Sequence, residues 1–192
     1  MIGESLEFLR SQLDGHVKTL GGNATASAKL SPIFDADGKN ILKDALLGLS
    51  LINVEEERVN RAQQREVVNS GGALSFMAPE VRLNLHVLVA ANIDAKGDKY
   101  DQSLKSLSAA ISFFQSHRVF ESDSYSDLPK GVEKLVVELE TLDYEFQNHV
   151  WGTLGGKLLP SVMYRIRLVT IQEGHVTGTG KAIRIRDEVR PA

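Results

Sequence analysis

Two strand-like stretches joined by a polar loop constrain this chain more than any other feature. The first, ALLGLSLINVEEERVNR, runs from Ala45 to Arg61, and the second, PEVRLNLHVLVAANID, from Pro79 to Asp94. In the second, Val81, Leu83, Leu85, Val87 and Val89 fall on one face. Arg82, Asn84 and His86 begin the other face, and Leu88 and Ala90 finish it. A period of two marks a strand whose successive side chains point to opposite sides. The polar half of the second face predicts contact with water, and the apolar half predicts a cover over that end alone. The first stretch is apolar on both faces at its centre, which predicts a strand interior to a sheet.

Helical spacing marks two further segments. Ile2, Leu6, Leu9, Leu13 and Val17 form one stripe, predicting a helix from residue 2 to Leu20 that ends at Gly21–Gly22–Asn23. Tyr100, Leu104, Leu107, Ile111 and Phe114 form another, predicting a helix from Lys99 to His117. A short strand is expected within Ala28–Phe34, followed by a turn at Asp35–Ala36–Asp37–Gly38. Gln63 to Phe76 reads as a polar loop, and Leu135, Val137 and Leu139 as a strand. Asp143 is placed to cap a short helix to Leu154, with Gly155–Gly156 ending it. Val162, Tyr164, Ile166, Leu168 and Thr170 alternate along another strand, with Arg165 and Arg167 facing the other way. Gly174 to Gly180 reads as a turn, and Lys181–Val189 as a last strand or an arm.

Helices and strands mix, and several strands follow one another with no helix between. The expected fold class is α+β, with one mostly antiparallel or mixed β-sheet packed with helices. A domain over 1–172 is expected, with a C-terminal hairpin strand or arm over 173–192. The hairpin reading pairs Val176–Val189 with Val162–Ile171; the arm reading sends it to a neighbouring subunit.

With 192 residues and a net charge of −3, the chain shows no basic excess of the kind that nucleic-acid binding needs. Glu4 and Glu7 stand where a signal peptide is basic, and no apolar run approaches a membrane span. The expectation is assembly in the cytoplasm, with neither nucleic acid nor membrane as partner. Cysteine is absent, which removes disulfides and thiolate chemistry.

Motifs that suggest chemistry fail on inspection. The stretch from Gly174 to Ala182 lacks the first glycine of a phosphate loop, which would stand at His175. Ala182 also replaces the hydroxyl that would hold magnesium. Asp35 to Asn40 echoes a calcium loop but has its glycine two places early and Leu46 where a glutamate should close the site. The histidines, His16, His86, His117, His149 and His175, lie on different elements. No catalytic residue, cofactor or metal is expected. The sharpest charged cluster is Glu55, Glu56, Glu57 and Arg58. Three adjacent carboxylates repel one another, and the alternating pairs Arg165/Arg167 and Arg184/Arg186 are candidates to neutralise them within the chain or across a subunit boundary. Trp151, the single tryptophan, is either a core residue of a short helix or an interface anchor.

Four segments read together carry a resemblance: SLINVEEERVNR (Ser50–Arg61), APEVRLNLHVLVAANI (Ala78–Ile93), SLSAAISFFQSHRVF (Ser106–Phe120) and the long stretch from Leu135 to Ile171 containing NHVWGTLGGKLLPSV. In this order they resemble the N-terminal-type domain of the tail-terminator, or cap, proteins of contractile injection systems, which are phage-tail-like particles. The resemblance implies a structural protein without catalysis or cofactor. It implies a six-fold ring of this chain on the end of the inner tube, with the tube protein and the last layer of sheath protein as partners. The particle is either released or membrane-anchored. The alternatives are another neck or baseplate component of such a particle, or an enzyme with a pocket built from His86, His149 and carboxylates.

Overall fold

A computed structural model describes residues 1–21, 28–43, 45–57, 65–68, 73–77, 82–93, 99–170 and 176–181. In chain order the elements are α1 (Ile2–Gly21), β1 (Ala28–Leu30), β2 (Leu47–Glu56), β3 (Arg65–Val68), β4 (Ala73–Met77), β5 (Arg82–Ala91), α2 (Lys99–Ser116), β6 (Val119–Glu121), β7 (Val132–Glu140), α3 (Tyr144–Leu154), β8 (Ser161–Thr170) and β9 (Val176–Lys181). Six strands form one sheet in the order β1-β2-β5-β8-β7-β6. Only β1 and β2 run parallel; every other pairing in that sheet is antiparallel. The α+β class with a mixed sheet is the architecture expected from the sequence.

Both helical stripes pack on one face of the sheet. Leu6, Leu9, Leu13 and Val17 of α1 are buried as expected, with Phe8 added. They meet Leu47 and Leu49 of β2, Leu85, Val87 and Val89 of β5, and Tyr164, Ile166 and Leu168 of β8 in the main core. The buried side of α2 is rotated from the expected stripe. Leu107 and Phe114 are inside, but Tyr100 is exposed, Leu104 and Ile111 lie at the margin, and Ser103, Ala110 and Phe113 take the interior positions. Small residues there let the helix sit close to the sheet, and Ser103 Oγ donates to the backbone oxygen of Asn92 at 2.8 Å.

The other face is covered at one end only, as the half-polar, half-apolar face of β5 requires. Leu88 and Ala90 of β5 and Met163 of β8 lie under α3, where Trp151, Phe34, Ile33, Leu42 and Leu159 complete a smaller core. Asp143 caps α3 by accepting from the Phe146 amide, and Gly155 ends it in the left-handed conformation at φ 70°. Both features match the expectation. Gly156 has a separate reason to be glycine, since a Cβ there would stand 2.1 Å from the Phe34 ring.

Several sequence readings are corrected. The presumed loop from Gln63 to Phe76 holds the hairpin β3–β4, which with β9 makes a second sheet in the order β3-β4-β9. The glycine-rich stretch expected to be a turn is strand β9 from Val176 to Lys181. Its partner is β4, while the neighbours of β8 are β5 and β7. Residues 182–192, the rest of the proposed arm, lie outside the described residues. Asp35–Gly38 is a turn as expected, with Asp35 Oδ1 accepting from the amides of Asp37 and Lys39.

Candidate assembly surface

Beyond α3 the second face of the sheet is a charged lattice, and a β-bulge decides which side chains enter it. In β2, Leu47, Leu49 and Leu51 face the main core. The pairing with β5 then slips between Leu51 and Asn53, so that Asn53 opposes His86 and Glu55 opposes Asn84. An extra residue in one strand inverts the facing of all that follow. Without it Glu55 would share the helix-covered face with Leu51; with it, Glu55 and Glu57 join the polar face.

Two cross-strand rows result. One runs Glu55–Asn84–Arg167–Val136 and the other Asn53–His86–Arg165–Glu138 across β2, β5, β8 and β7. Arg165 donates to Glu138 Oε2 at 2.9 Å, and Arg167 lies 3.8 Å from the same oxygen. Arg167 Nε is 3.7 Å from Glu57 Oε2, which also accepts from Asn84 Nδ2 at 3.3 Å. His86 Nδ1 is 2.8 Å from Glu140 Oε2, and His86 Nε2 is 3.5 Å from Glu55 Oε2. Asn53 donates to Glu55 Oε1 at 3.0 Å. Opposite charges facing each other across strands contribute roughly 0.2–1 kcal/mol each. Partly exposed pairs sit at the lower end, so the lattice fixes strand register more than it adds stability.

The candidate residues therefore separate. Glu55, Glu57, Arg165 and Arg167 meet in the lattice. Glu56 faces the opposite way, pairs in register with Leu83 and is exposed. Arg58, Arg184 and Arg186 lie outside the described residues. Trp151 is 3% exposed, with its ring 6.1 Å from that of Phe34. His86 and His149 do not converge on a pocket: His149 is on the outer side of α3, 3.9 Å from Glu145. Among the described residues no group of histidines and carboxylates is arranged to hold a metal, and no helix is long and apolar enough to cross a membrane.

Sequence reasoning passed over two parts of this surface. Glu138 and Glu140 alternate with Leu135 and Val137, a pattern sufficient to put them opposite the core. The second part is a cleft of about 230 Å³ at the edge of α3, lined among others by Leu139, Glu140, Val150, Trp151 and Met163. Beside it Tyr144 and Phe146 in the first turn of α3 are 91% and 64% exposed. Phe146 falls off the helix stripe of Gln147, Val150, Trp151 and Leu154, which is the signal that marks it as outward-facing, whereas Tyr144 lies on the stripe at the first residue of the helix and is exposed there.

Among curated proteins no sequence matches this chain. Residues 6–185 match the family model described as the Pvc16 N-terminal domain, and the chain belongs to that family. Two cryo-EM structures share the fold. One is the sheath/tube terminator of the PVC extracellular contractile injection system in its extended state, with TM-score 0.60 and 12% identity, covering 99% of this chain and 65% of that one. The other is the tube-terminating cap of the anti-feeding prophage, with TM-score 0.59 and 13% identity, covering 96% of this chain and 59% of that one. The chain thus spans less than two thirds of the length of either relative. The fold and family expected from the four sequence segments are the ones found.

The family-like segments acquire physical reasons in this fold. Asn92, after Ala90 and Ala91, is 1% exposed and donates from Nδ2 to the backbone oxygens of Lys43 and Ala45 at 2.9 and 2.8 Å. Asn40 Nδ2 donates in turn to its Oδ1 at 3.0 Å. These bonds fasten the loop before β2 to the end of β5. The tryptophan and paired glycines of the last segment build the cover over the smaller core.

Proposed function

We propose that the chain is a structural cap of a contractile injection system. It sits as a hexameric ring on the end of the inner tube, where it stops tube growth and anchors the last layer of sheath. The single observation that carries this reading is the family match over residues 6–185, together with a fold shared with a sheath/tube terminator and a tube-terminating cap over nearly the whole chain. The role is structural, not catalytic, and the particle in which it acts is of the extracellular type. In this reading the cap domain comprises residues 1–172 together with β9, which pairs with β4, and the rest of the stretch over 173–192 supplies an arm.

Glu56 lies at a ring junction in this reading. Its neighbours Glu55 and Glu57 have partners inside the chain, whereas Glu56 is exposed on the opposite side of the strand. A closed ring joins two different patches of the same chain. Arg184 and Arg186 of the adjoining copy are the proposed counter-charges, and Arg58 joins them near the seam. Light scattering on the purified chain tests the ring: the expected mass is six times 21.1 kDa. Glu56→Lys is expected to shift the population toward monomer, more at low salt than at high salt. A monomer under all conditions, including with tube protein added, contradicts the ring.

A further inference from the structure

We infer that His86 is a proton-operated tether on the end of β2: the imidazolium holds Glu55 and Glu140 together, and the neutral ring releases Glu55. The observation that carries it is the placing of two carboxylates on the two nitrogens of one imidazole. The tether does not depend on the cap reading; only its use in the ring rests on that reading.

Nδ1 stands 2.8 Å from Glu140 Oε2, and Nε2 stands 3.5 Å from Glu55 Oε2. A neutral imidazole has one N–H and one lone pair, whereas the imidazolium has two N–H donors. The short contact takes the single proton of the neutral ring, which fixes the Nδ1–H tautomer. Nε2 then turns a lone pair toward the Glu55 carboxylate, and two acceptors face each other. Nε2 is buried and has no hydrogen-bond partner among the described residues. A proton taken from water at Nε2 replaces that lone pair by a donor aimed at Glu55. A buried polar atom left unpaired is costly, so the two states of the ring differ in how they hold Glu55. Histidine is the side chain that changes charge between pH 5 and 8.

The surrounding groups do not supply the missing donor. Asn53 of β2 and Arg165 of β8 flank His86 in register. Asn53 donates to Glu55, and Arg165 donates to Glu138. Arg167 lies between Glu138 and Glu57, and Lys134 of β7 is on Glu121. Along β5, Asn84 donates to Glu57, and Arg82 stands four residues away, opposite Val169. The titratable side chains of α3, Glu145 and His149, are 83% and 72% exposed on its outer side.

The end of β2 is where such a tether matters. β1 pairs with β2 only as far as Leu49. From Asn53 to Glu56, among the described strands, β2 is therefore held from β5 alone. Val54, Glu55 and Glu56 are exposed. In the ring proposed above Glu56 lies at a junction, so protonation of His86 in mild acid fixes the strand end that carries the seam.

Nitrogen-15 NMR of the full chain reads the ring of His86 directly. At pH 8 the Nδ1–H tautomer is expected, with Nε2 unprotonated, and at pH 5.5 both nitrogens are expected to carry protons. An Nε2–H tautomer at pH 8, or the same protonation state at both pH values, overturns the assignment. A double-mutant cycle on His86→Ala and Glu55→Ala, read by urea unfolding, measures the tether itself. The coupling is expected to be about two- to five-fold in the unfolding constant at pH 5.5, the size of an exposed ion pair, and to vanish at pH 8. Equal coupling at the two pH values overturns the assignment. Should His86→Ala be too unstable for the cycle, Glu55→Ala is compared with the parent alone, and is expected to lose more stability at pH 5.5 than at pH 8. Both measurements read the purified chain whatever its oligomeric state, so failure of the ring and failure of the tether show separately.

Discussion

His86 Nδ1 and Glu140 Oε2 stand 2.8 Å apart, joining β5 to β7 over the intervening strand β8. The contact lies at the border between the charged lattice and the apolar cover of α3, because Leu88 and Met163 occupy the next row of the sheet. A partly buried hydrogen bond of this kind contributes about 1 kcal/mol net. A double-mutant cycle on His86→Ala and Glu140→Ala, read by urea unfolding near pH 6, is expected to give a coupling of about that size. A coupling indistinguishable from zero would mean that the two side chains do not meet in solution.

The core between helices and sheet makes a sharper contrast. Leu107 is 8% exposed whereas Tyr100, at the start of the same apolar stripe, is 53% exposed. Leu107→Ala is expected to cost ~2–5 kcal/mol, and Tyr100→Ala within about 0.5 kcal/mol of nothing. Equal losses at the two positions would show that the stripe read from sequence, and not the rotated one seen in the fold, is the buried face.

Gly156 tests the close approach of α3 to the turn before β2. A Cβ there would stand 2.1 Å from the ring of Phe34, which is itself 9% exposed and held against Trp151. Forcing a methyl group into a packed site costs about 1–3 kcal/mol. Gly156→Ala is expected to lower stability by that amount, and Phe34→Leu in the same chain to recover part of it. A fully stable Gly156→Ala protein would place Phe34 elsewhere.

How much of this was legible in the sequence follows from the length of each signal. Strand β5 and helix α3 were readable because each carries many mutually consistent residues: nine alternating positions in one, and an aspartate cap with a glycine stop in the other. Strands β3, β4 and β6 span only three to five residues, too short to establish a period against polar neighbours. Ser103 and Ala110 were overlooked in α2 because a stripe traced through large apolar side chains ignores small ones, although small ones allow the closest packing. The bulge between Leu51 and Asn53 leaves no compositional mark. It nevertheless decides that Glu55 and Glu57, and not Glu56, face Arg165 and Arg167. Residue identity showed the charges, while pairing geometry chose their partners.

Tyr164 gives a pH dependence with a defined sign. Burial pushes its phenol up to about 12, and its buried hydroxyl has no hydrogen-bond partner among the described residues. The raised value means that the unfolded chain loses this proton first as pH rises. The stability associated with the neutral phenol is complete below pH 10, falls between 10 and 12, and is lost above the folded value. Ultraviolet titration is expected to show one late-ionising tyrosine that disappears in Tyr164→Phe. That variant is expected to be as stable as the parent near neutral pH, or more stable by up to ~1 kcal/mol, because no bond is broken on removing the hydroxyl. A clear loss of stability would reveal a partner for it.

Electron microscopy tests the position of the chain in the particle most directly. Purified chain carrying a small electron-dense label is mixed with tubes assembled from the particle's inner tube protein, and labelled sites are located along each tube. A cap places label at one end only and shortens the distribution of tube lengths when added during assembly. Label along the tube wall, or tubes that grow unchanged with no label at their ends, would contradict the account.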